Sequence, residues 1–226
     1  MRCAAISGVG SENMQNLANI RKDYRMATLD VSSVDSDPFR QFEKWFGEAL
    51  QSEVMEPNAM NLSTVNEHGR PSSRMVLLKA LENQRFVFYT NYQSKKGKEL
   101  ENNPACALTF FWPELERQVC VEGIASRVDP QLSDVYFQSR PRESQMGAWA
   151  SPQSVMIESR TILEQRFHEL EKKFKELTVL PRPHQWGGYQ IHPFEIEFWQ
   201  GGPGRLHDRI QYVSVDKEWK IFRLAP

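Results

Sequence analysis

The spacing of hydrophobic and polar residues predicts a chain built mainly from short strands. Apolar and polar side chains alternate with a period of two over residues 85–90, which is typical of a half-buried strand. Related patterns bounded by turn residues predict strands over 58–65, 71–79, 105–112, 118–128, 187–200, 209–215 and 218–224. The first two flank the loop 66–69, whose final glycine predicts a hairpin.

Four or five helices are predicted between these strands. An acid followed by proline marks helix starts at Asp37 and Asp129. Ser94 can cap a short lysine-rich helix, and residues 144–150 fit another short one. Apolar residues three and four apart predict a longer helix that begins with a capping box at Thr161.

Strands and helices do not alternate in the manner of a parallel sheet. We therefore predict a mainly β, α+β fold, with an antiparallel barrel-like sheet and helices packed around it. Residues 1–20 show no periodicity and are rich in Ser, Asn and Gly, so we expect a disordered tail there.

Composition narrows the classes of function. The chain has 226 residues and a net charge of −1, which argues against a general nucleic-acid binder. Its 28 basic residues are clustered locally, which suits small phosphorylated ligands better than a polyanion.

No apolar run reaches the roughly 20 residues that span a membrane. The 3 cysteines and 5 histidines show no metal-ligand spacing, so we expect no metal and a cytoplasmic location. Arg2 is the only basic residue before Arg21, which gives little support to a mitochondrial presequence.

The segment EFWQGGPGRLHDR, residues 197–209, carries the strongest chemical signal. A strand pattern breaks at a Gly-Gly-Pro-Gly run, where backbone can approach a ligand closely. Arg205, His207 and Arg209 follow at once, and these groups suit an anionic, planar ligand. Taken alone, an ordinary charged loop is the simpler interpretation. The lysines after Ser94 also allow two interpretations. They indicate either an anion bound at a helix N-terminus or solvated side chains.

A set of motifs in order along the chain resembles the pyridoxine 5′-phosphate oxidase family. The motifs are RMVLLK at 74–79, FYTN at 88–91, SKKGKEL at 94–100, ERQVCVEG at 116–123, YFQSRPRESQMGAW at 136–149, WGGY at 186–189, the 197–209 segment and a terminal WKIFRLAP. The resemblance covers roughly residues 20–226. It implies a single FMN-binding split β-barrel over 21–226, with 186–226 as a C-terminal segment for dimerisation and the active site.

The resemblance also implies an activity and its participants. The family's reaction converts pyridoxamine or pyridoxine 5′-phosphate to pyridoxal 5′-phosphate, while dioxygen is reduced to hydrogen peroxide. The expected protein is a homodimer with FMN at the subunit interface and no nucleic-acid or membrane partner. The alternatives are a non-catalytic flavin- or haem-binding split barrel and a phosphate-binding module without a cofactor.

Residue roles follow from the resemblance alone. Positions matching flavin contacts are Arg74, Met75, Val76, Leu77, Leu78, Lys79, Tyr89, Thr90, Lys95, Lys96, Gln118, Gln153, Ser154, Trp199 and Arg209. Positions matching substrate contacts are Arg21, Lys22, Asp23, Tyr24, Lys79, Tyr136, Arg140, Ser144, Arg205, Leu206 and His207. Arg205 and His207 match the catalytic residues over the pyridine ring.

Two features depart from a simple match. Lys95 stands where the family more often has arginine, and lysine does not replace a bidentate fork. Arg74 and Lys79 are five residues apart, so a regular strand would direct them to opposite faces. Either a bulge intervenes, or the two side chains address different phosphates; the second fits the assigned roles.

Overall fold

The computed structural model describes residues 23–226, as five α-helices and nine β-strands. The predicted tail 1–20, Arg21 and Lys22 lie outside these residues. The helices are α1 Pro38–Gln51, α2 Lys95–Asn102, α3 Pro130–Ser139, α4 Arg142–Ala150 and α5 Arg160–Lys173. The strands are β1 Ala59–Val65, β2 Pro71–Leu77, β3 Ala80–Glu82, β4 Arg85–Asn91, β5 Ala105–Trp112, β6 Arg117–Arg127, β7 Trp186–Gln200, β8 Asp208–Val215 and β9 Glu218–Leu224.

All strand pairs are antiparallel and form one sheet in the order β2-β1-β5-β6-β7-β4-β3. The 15-residue β7 is the central strand. Its first half pairs with β4, its second half pairs with β8, and β6 follows its other edge. β9 then pairs with β8. The predicted antiparallel split-barrel class is confirmed.

Local sequence explains the first elements. Asp37 accepts a hydrogen bond from the Phe39 N–H, and Pro38 occupies the first turn of α1. In the β1–β2 loop, Oδ1 of Asn66 accepts from two backbone N–H groups at 2.9 Å, and Gly69 adopts a φ of 73°. Local cap and turn contacts therefore stabilise both structures.

Two apolar clusters hold the helices to the sheet. α1 packs Phe42 and Trp45 against Phe86, Phe110 and Phe198 of the sheet, all of which are buried. A second cluster lies beneath α3, α4 and the segment after α5; it contains Phe137, Met146, Phe174, Leu180 and Trp186. Among residues 23–226, no helix combines the length and apolarity needed to cross a bilayer.

Three local predictions were wrong. The sequence predicted eight strands and residues 23–226 contain nine, because β3 has only three residues. The strand predicted over 71–79 ends at Leu77, since Lys79 donates its backbone N–H to Val87 of β4. The helix predicted to open at Thr161 instead begins at Arg160, with Ser159 at the N-cap and no side-chain cap.

Candidate active site

A cavity of about 470 Å³ opens between the end of β2, β4 and the start of α4. Its lining includes many of the residues predicted to hold the cofactor or substrate. These are Met75, Val76, Leu77, Lys79, Tyr89, Thr90, Lys96, Tyr136, Arg140, Ser144 and Gln153. Leu78 is 7% exposed and belongs to the hydrophobic core, so it does not line the cavity.

Lys96 is a buried cation at the floor of this cavity. Its Nζ donates to Thr90 Oγ1 at 3.1 Å and to Gln153 Oε1 at 2.9 Å. Among the described residues, no carboxylate lies within ion-pair distance of this amine. Burial, followed by the nearby charge of Arg74, lowers the pKa of Lys96 to about 8. An unpaired ammonium at a helix N-terminus favours an anionic ligand.

Arg74 lies beside Lys96 and is held by a buried acid. Its Nη2 donates to Glu99 Oε2 at 3.2 Å, and its Nη1 donates to Thr64 Oγ1 at 2.5 Å. Burial would raise the pKa of Glu99, but hydroxyl hydrogen bonds and Arg74 hold it below its usual value. Lys95 is exposed, with its Nζ 3.9 Å from Glu99 Oε1. Two basic residues, Arg74 and Lys95, therefore pair with one carboxylate of α2.

Arg140 marks a second cationic point in the same cavity. Its guanidinium lies 4.6 Å from the Trp186 ring centroid, and burial lowers its pKa. Nη1 is buried and has no hydrogen-bond partner within residues 23–226. Ser144 and Lys79 line the cavity with it. A buried guanidinium N–H without a partner is costly, so this position also suits an anion.

Aromatic rings form the wall between these cationic points. Tyr89 stacks on Tyr136 with ring centroids 3.9 Å apart, and Tyr89 also stacks on Trp186 at 5.5 Å. Burial raises the pKa of both tyrosines, so they remain protonated donors at neutral pH. Gln153 reaches the cavity floor, and Ser154 follows it with a left-handed φ of 69°.

A second group of predicted residues lies at the far end of β7. Gln118 of β6 pairs with Trp199, which pairs in turn with Arg209 of β8. Arg209 makes a bidentate ion pair with Glu197, with both N–O distances 2.8 Å. Trp199 lies thirteen residues beyond Trp186 of the cavity, roughly 40 Å of extended strand. Within one chain, the two groups of site residues are therefore not brought together.

The glycine-rich break leads into this second group. Pro203–Arg205 forms a short 3₁₀ turn, and Arg205 has a left-handed φ of 63°. Arg205 and Leu206 are exposed. Nδ1 of His207 accepts from the Gly202 N–H at 3.1 Å, so a neutral ring carries its proton on Nε2. The loop therefore presents a cation and an imidazole N–H at the surface.

The N-terminal segment rests on the same loop. Tyr24 packs edge-on against Trp199, with ring centroids 5.7 Å apart, and against His207 at 5.8 Å. Asp23 is exposed and pairs with Arg25. Of the four predicted N-terminal contacts, Tyr24 joins the second group, Asp23 pairs with Arg25 instead, and Arg21 and Lys22 lie outside the described residues.

Sequence reasoning missed the acids that organise both groups. Glu99 and Glu197 look like ordinary surface charges in the sequence, yet each has a side chain that is largely buried and paired with arginine. Trp186 was quoted only as part of a motif, although it lines the cavity. Helical spacing from Lys95 to Glu99 was the one available signal for the first acid.

Two family models together match most of the chain. Residues 46–174 match the family described as "Pyridoxamine 5'-phosphate oxidase". Residues 186–226 match "Pyridoxine 5'-phosphate oxidase C-terminal dimerisation region". The crystal structure of PhzG from Burkholderia lata, in complex with tetrahydrophenazine-1-carboxylic acid, has a TM-score of 0.84 at 28% identity, covering 91% of this chain and 100% of that one. A pyridoxamine 5'-phosphate oxidase-related, FMN binding protein from Nostoc punctiforme shares the fold, with a TM-score of 0.66 at 17% identity over 85% of this chain and 100% of its own.

Two curated relatives are similar over almost the whole chain. A "Pyridoxine/pyridoxamine 5'-phosphate oxidase" of Cytophaga hutchinsonii is 51% identical over 212 residues, 93% of this chain and 99% of the relative. One of Burkholderia mallei is 52% identical over 216 residues, 94% of this chain and 100% of the relative. With matched regions on both halves of the sheet and identity of this extent, the chain belongs to the pyridoxine/pyridoxamine 5′-phosphate oxidase family.

Proposed function

We propose that the protein is an FMN-dependent oxidase that converts pyridoxamine or pyridoxine 5′-phosphate to pyridoxal 5′-phosphate. Dioxygen is the electron acceptor and hydrogen peroxide the second product. The observation that carries the proposal is the pair of unneutralised cationic points, Lys96 and Arg140, on one aromatic-walled cavity. Two phosphate monoesters, one on the cofactor and one on the substrate, would match two such points.

The cofactor phosphate is assigned to the start of α2. Lys96, Arg74 and Lys95 supply positive charge there, and the helix N-terminus adds to it. Thr90 and Gln153, already hydrogen-bonded to Lys96, supply polar groups to the same corner. Bound FMN supplies the two-electron redox chemistry, and the protein residues bind and orient the reactants.

The substrate phosphate is assigned to Arg140. Arg140, whose Nη1 is buried without a partner among the described residues, lines the cavity together with Ser144 and Tyr136, and Lys79 adds a second charge. Arg74 and Lys79 then address different phosphates, as the five-residue spacing favoured. β2 ends between them, so no bulge is needed.

We infer that the second group completes the cavity of a partner subunit. Gln118, Trp199 and Arg209 would contact the flavin, while Arg205 and His207 would face the substrate ring. The distance along β7 supports this, because no side chain spans it within one chain. The match of 186–226 to a dimerisation region supports a homodimer. In this assignment His207 offers Nε2–H as a donor, and Arg205 orients the substrate without acting as a base.

Domain organisation and location are also proposed from the sequence. Residues 21–226 are proposed to act as one domain, with 186–226 as its dimerisation and active-site segment. A cytoplasmic location is proposed from cysteine usage alone.

The absorption spectrum of purified protein tests cofactor and substrate class together. Bound oxidised FMN should give a yellow protein, and anaerobic pyridoxamine 5′-phosphate should bleach the flavin band. Readmitted air should restore the band and yield peroxide. A yellow protein that is not bleached by either substrate would instead support a non-catalytic flavin binder, and a colourless protein that binds no added FMN would support a cofactor-free module.

A further inference from the structure

Glu116 is a buried acid at the turn between β5 and β6. It is 3% exposed and adopts a left-handed φ of 55°. A non-glycine residue in this conformation carries backbone strain, and a buried carboxylate needs compensating donors. The contacts around Glu116 must therefore stabilise both its left-handed backbone and its buried carboxylate.

Those contacts join two separate segments. Oε2 of Glu116 accepts hydrogen bonds from the backbone N–H groups of Arg25 at 2.9 Å and Met26 at 3.1 Å. Its backbone carbonyl accepts from the Gly201 N–H at 2.8 Å and from Gln200 Nε2 at 3.2 Å. One residue thus ties the N-terminal segment to the start of the glycine-rich loop.

These hydrogen bonds of Glu116 lie next to Tyr24. A Cβ added at Gly201 would meet Tyr24 Cγ at 2.7 Å, so the tyrosine ring fills space that only glycine leaves open. Residues 23–30 form no helix or strand, so they depend on side-chain anchors for their position. A further anchor follows at Leu29, whose N–H donates to Asp208 Oδ2 at 2.9 Å.

We propose that Glu116 is a positioning residue that holds Tyr24 against Trp199 and His207, so that the N-terminal segment and the loop bearing Arg205 form one surface over the substrate. The consequence for catalysis rests on the proposed function, but the placement of Tyr24 does not. A carboxylate accepting two N–H groups is charge-assisted and stronger than a neutral acceptor. Without it, two amides lose their partner and the segment loses its first anchor.

Kinetics of four variants test the proposal. Glu116→Ala should raise KM for pyridoxamine 5′-phosphate by about tenfold, the effect of losing charge-assisted hydrogen bonds, with little change in FMN affinity. Glu116→Gln keeps an acceptor oxygen and should restore most of the loss. Tyr24→Ala should reproduce the Glu116→Ala defect. The double variant should be no worse than either single variant, because both act through one ring position. Additive losses, or loss of FMN in Glu116→Ala, would overturn the proposal.

A second measurement is independent of activity, and the Leu29 amide serves in it as the control for correct folding of Glu116→Ala. Amide hydrogen exchange at residues 25 and 26 should accelerate in Glu116→Ala, while the Leu29 amide, still bonded to Asp208, should not change. Gly201→Ala leaves Glu116 intact, but its added methyl group should displace the Tyr24 ring. We therefore expect it to raise KM as Glu116→Ala does. If the wild-type protein shows no turnover, the proposed function fails, and exchange at 25 and 26 still decides the role of Glu116. Unchanged exchange at both amides would refute it.

Discussion

Lys96 donates from Nζ to Oε1 of Gln153 at 2.9 Å, and this contact places a cation in a buried corner where residues 23–226 offer it only neutral acceptors. The charged group nearest to Lys96 is Arg74, and Arg74 is in turn bonded to Glu99. Lys79, Arg140 and two tyrosines line the same cavity. Because the amine has a pKa of about 8, it is only partly charged under mildly alkaline conditions.

FMN affinity should therefore fall as pH rises above 8. Below that pH Lys96 is already protonated, so a phosphate dianion binds to a cation that is already present. Above it, binding must take up a proton, so the affinity should drop by up to about tenfold per pH unit. Fluorescence titration of apoprotein from pH 7 upward measures this.

Lys96→Met should remove most of this pH dependence together with much of the affinity. Lys98→Met, on an exposed position of the same helix, is the matched control and should leave both unchanged. Riboflavin, which lacks the phosphate, should bind with no step near pH 8. A step of equal size for riboflavin would assign the titration to another group.

Lys95→Arg should tighten FMN binding or leave it unchanged. The lysine amine is 3.9 Å from Glu99 Oε1, and that oxygen is buried without a hydrogen-bond partner among the described residues. An arginine can reach it with one nitrogen and present others to a phosphate. The FMN dissociation constant is the measurement, and a clear loss of affinity would mean that lysine is matched to its own surroundings.

The sequence predicted most elements because their signals are local. β5 and β9 have the predicted bounds, and α1 begins at the predicted Asp37-Pro38 cap. β3 was missed because three residues carry no detectable period. The capping box predicted at Thr161 does not form, because Glu164 pairs with Arg160 instead. The Glu164 carboxylate therefore lies on the helix surface.

The site was predictable only where its residues carry motif signals. Lys96 stands in the first turn of a helix, and Arg205 follows a glycine break, so both could be singled out. Glu99 and Glu116 stand inside quoted motifs, but their burial and pairing could not be predicted, because most of their partners are distant in sequence. Glu99 bonds Thr64 across 35 positions, and Glu116 bonds Arg25 across 91. Burial of an acid is set by such long-range pairing, which single-sequence patterns do not report.

Arg140→Ala should weaken substrate binding and spare the cofactor. Loss of hydrogen bonds to a charged phosphate costs about 1.5–3 kcal/mol, or roughly ten- to hundredfold in KM. Arg160→Ala, on an exposed helix position, is the control. Steady-state kinetics with pyridoxamine 5′-phosphate and an FMN titration make the comparison. Flavin loss without a change in KM would place the cofactor phosphate at Arg140.

Active sites should be shared between two subunits, because the two residue groups lie at opposite ends of β7. Light scattering should give a dimer, and a monomer that binds FMN and turns over would contradict this. A mixing experiment is sharper. Arg140→Ala and Arg205→Leu proteins are both weakly active when the substrate concentration is well below KM. After subunit exchange at equal amounts, they should recover about a quarter of wild-type activity under that condition, since each mixed dimer regains one intact site. Sites contained within one chain would recover none.

Substitutions in the loop after the glycine break should separate substrate from cofactor binding. Arg205 is exposed and lies outside the strands on a left-handed backbone, so its side chain is available to contact a ligand. Arg205→Leu should keep FMN bound and the dimer intact, yet lose turnover on the order of a hundredfold through misplaced substrate. His207→Ala should act in the same direction more mildly. Arg209→Leu should lose FMN affinity first.

The Arg209 result needs a control for its ion pair. Removing the arginine leaves Glu197, a largely buried carboxylate, without its bidentate partner, and this alone can disturb the strand that carries Trp199. Adding Glu197→Gln to Arg209→Leu removes the stranded charge. If FMN affinity stays low in the double variant, Arg209 itself contacts the flavin. If affinity returns, the loss came from the unpaired acid. Flavin loss in Arg205→Leu with retention in Arg209→Leu would reverse the roles of the two arginines.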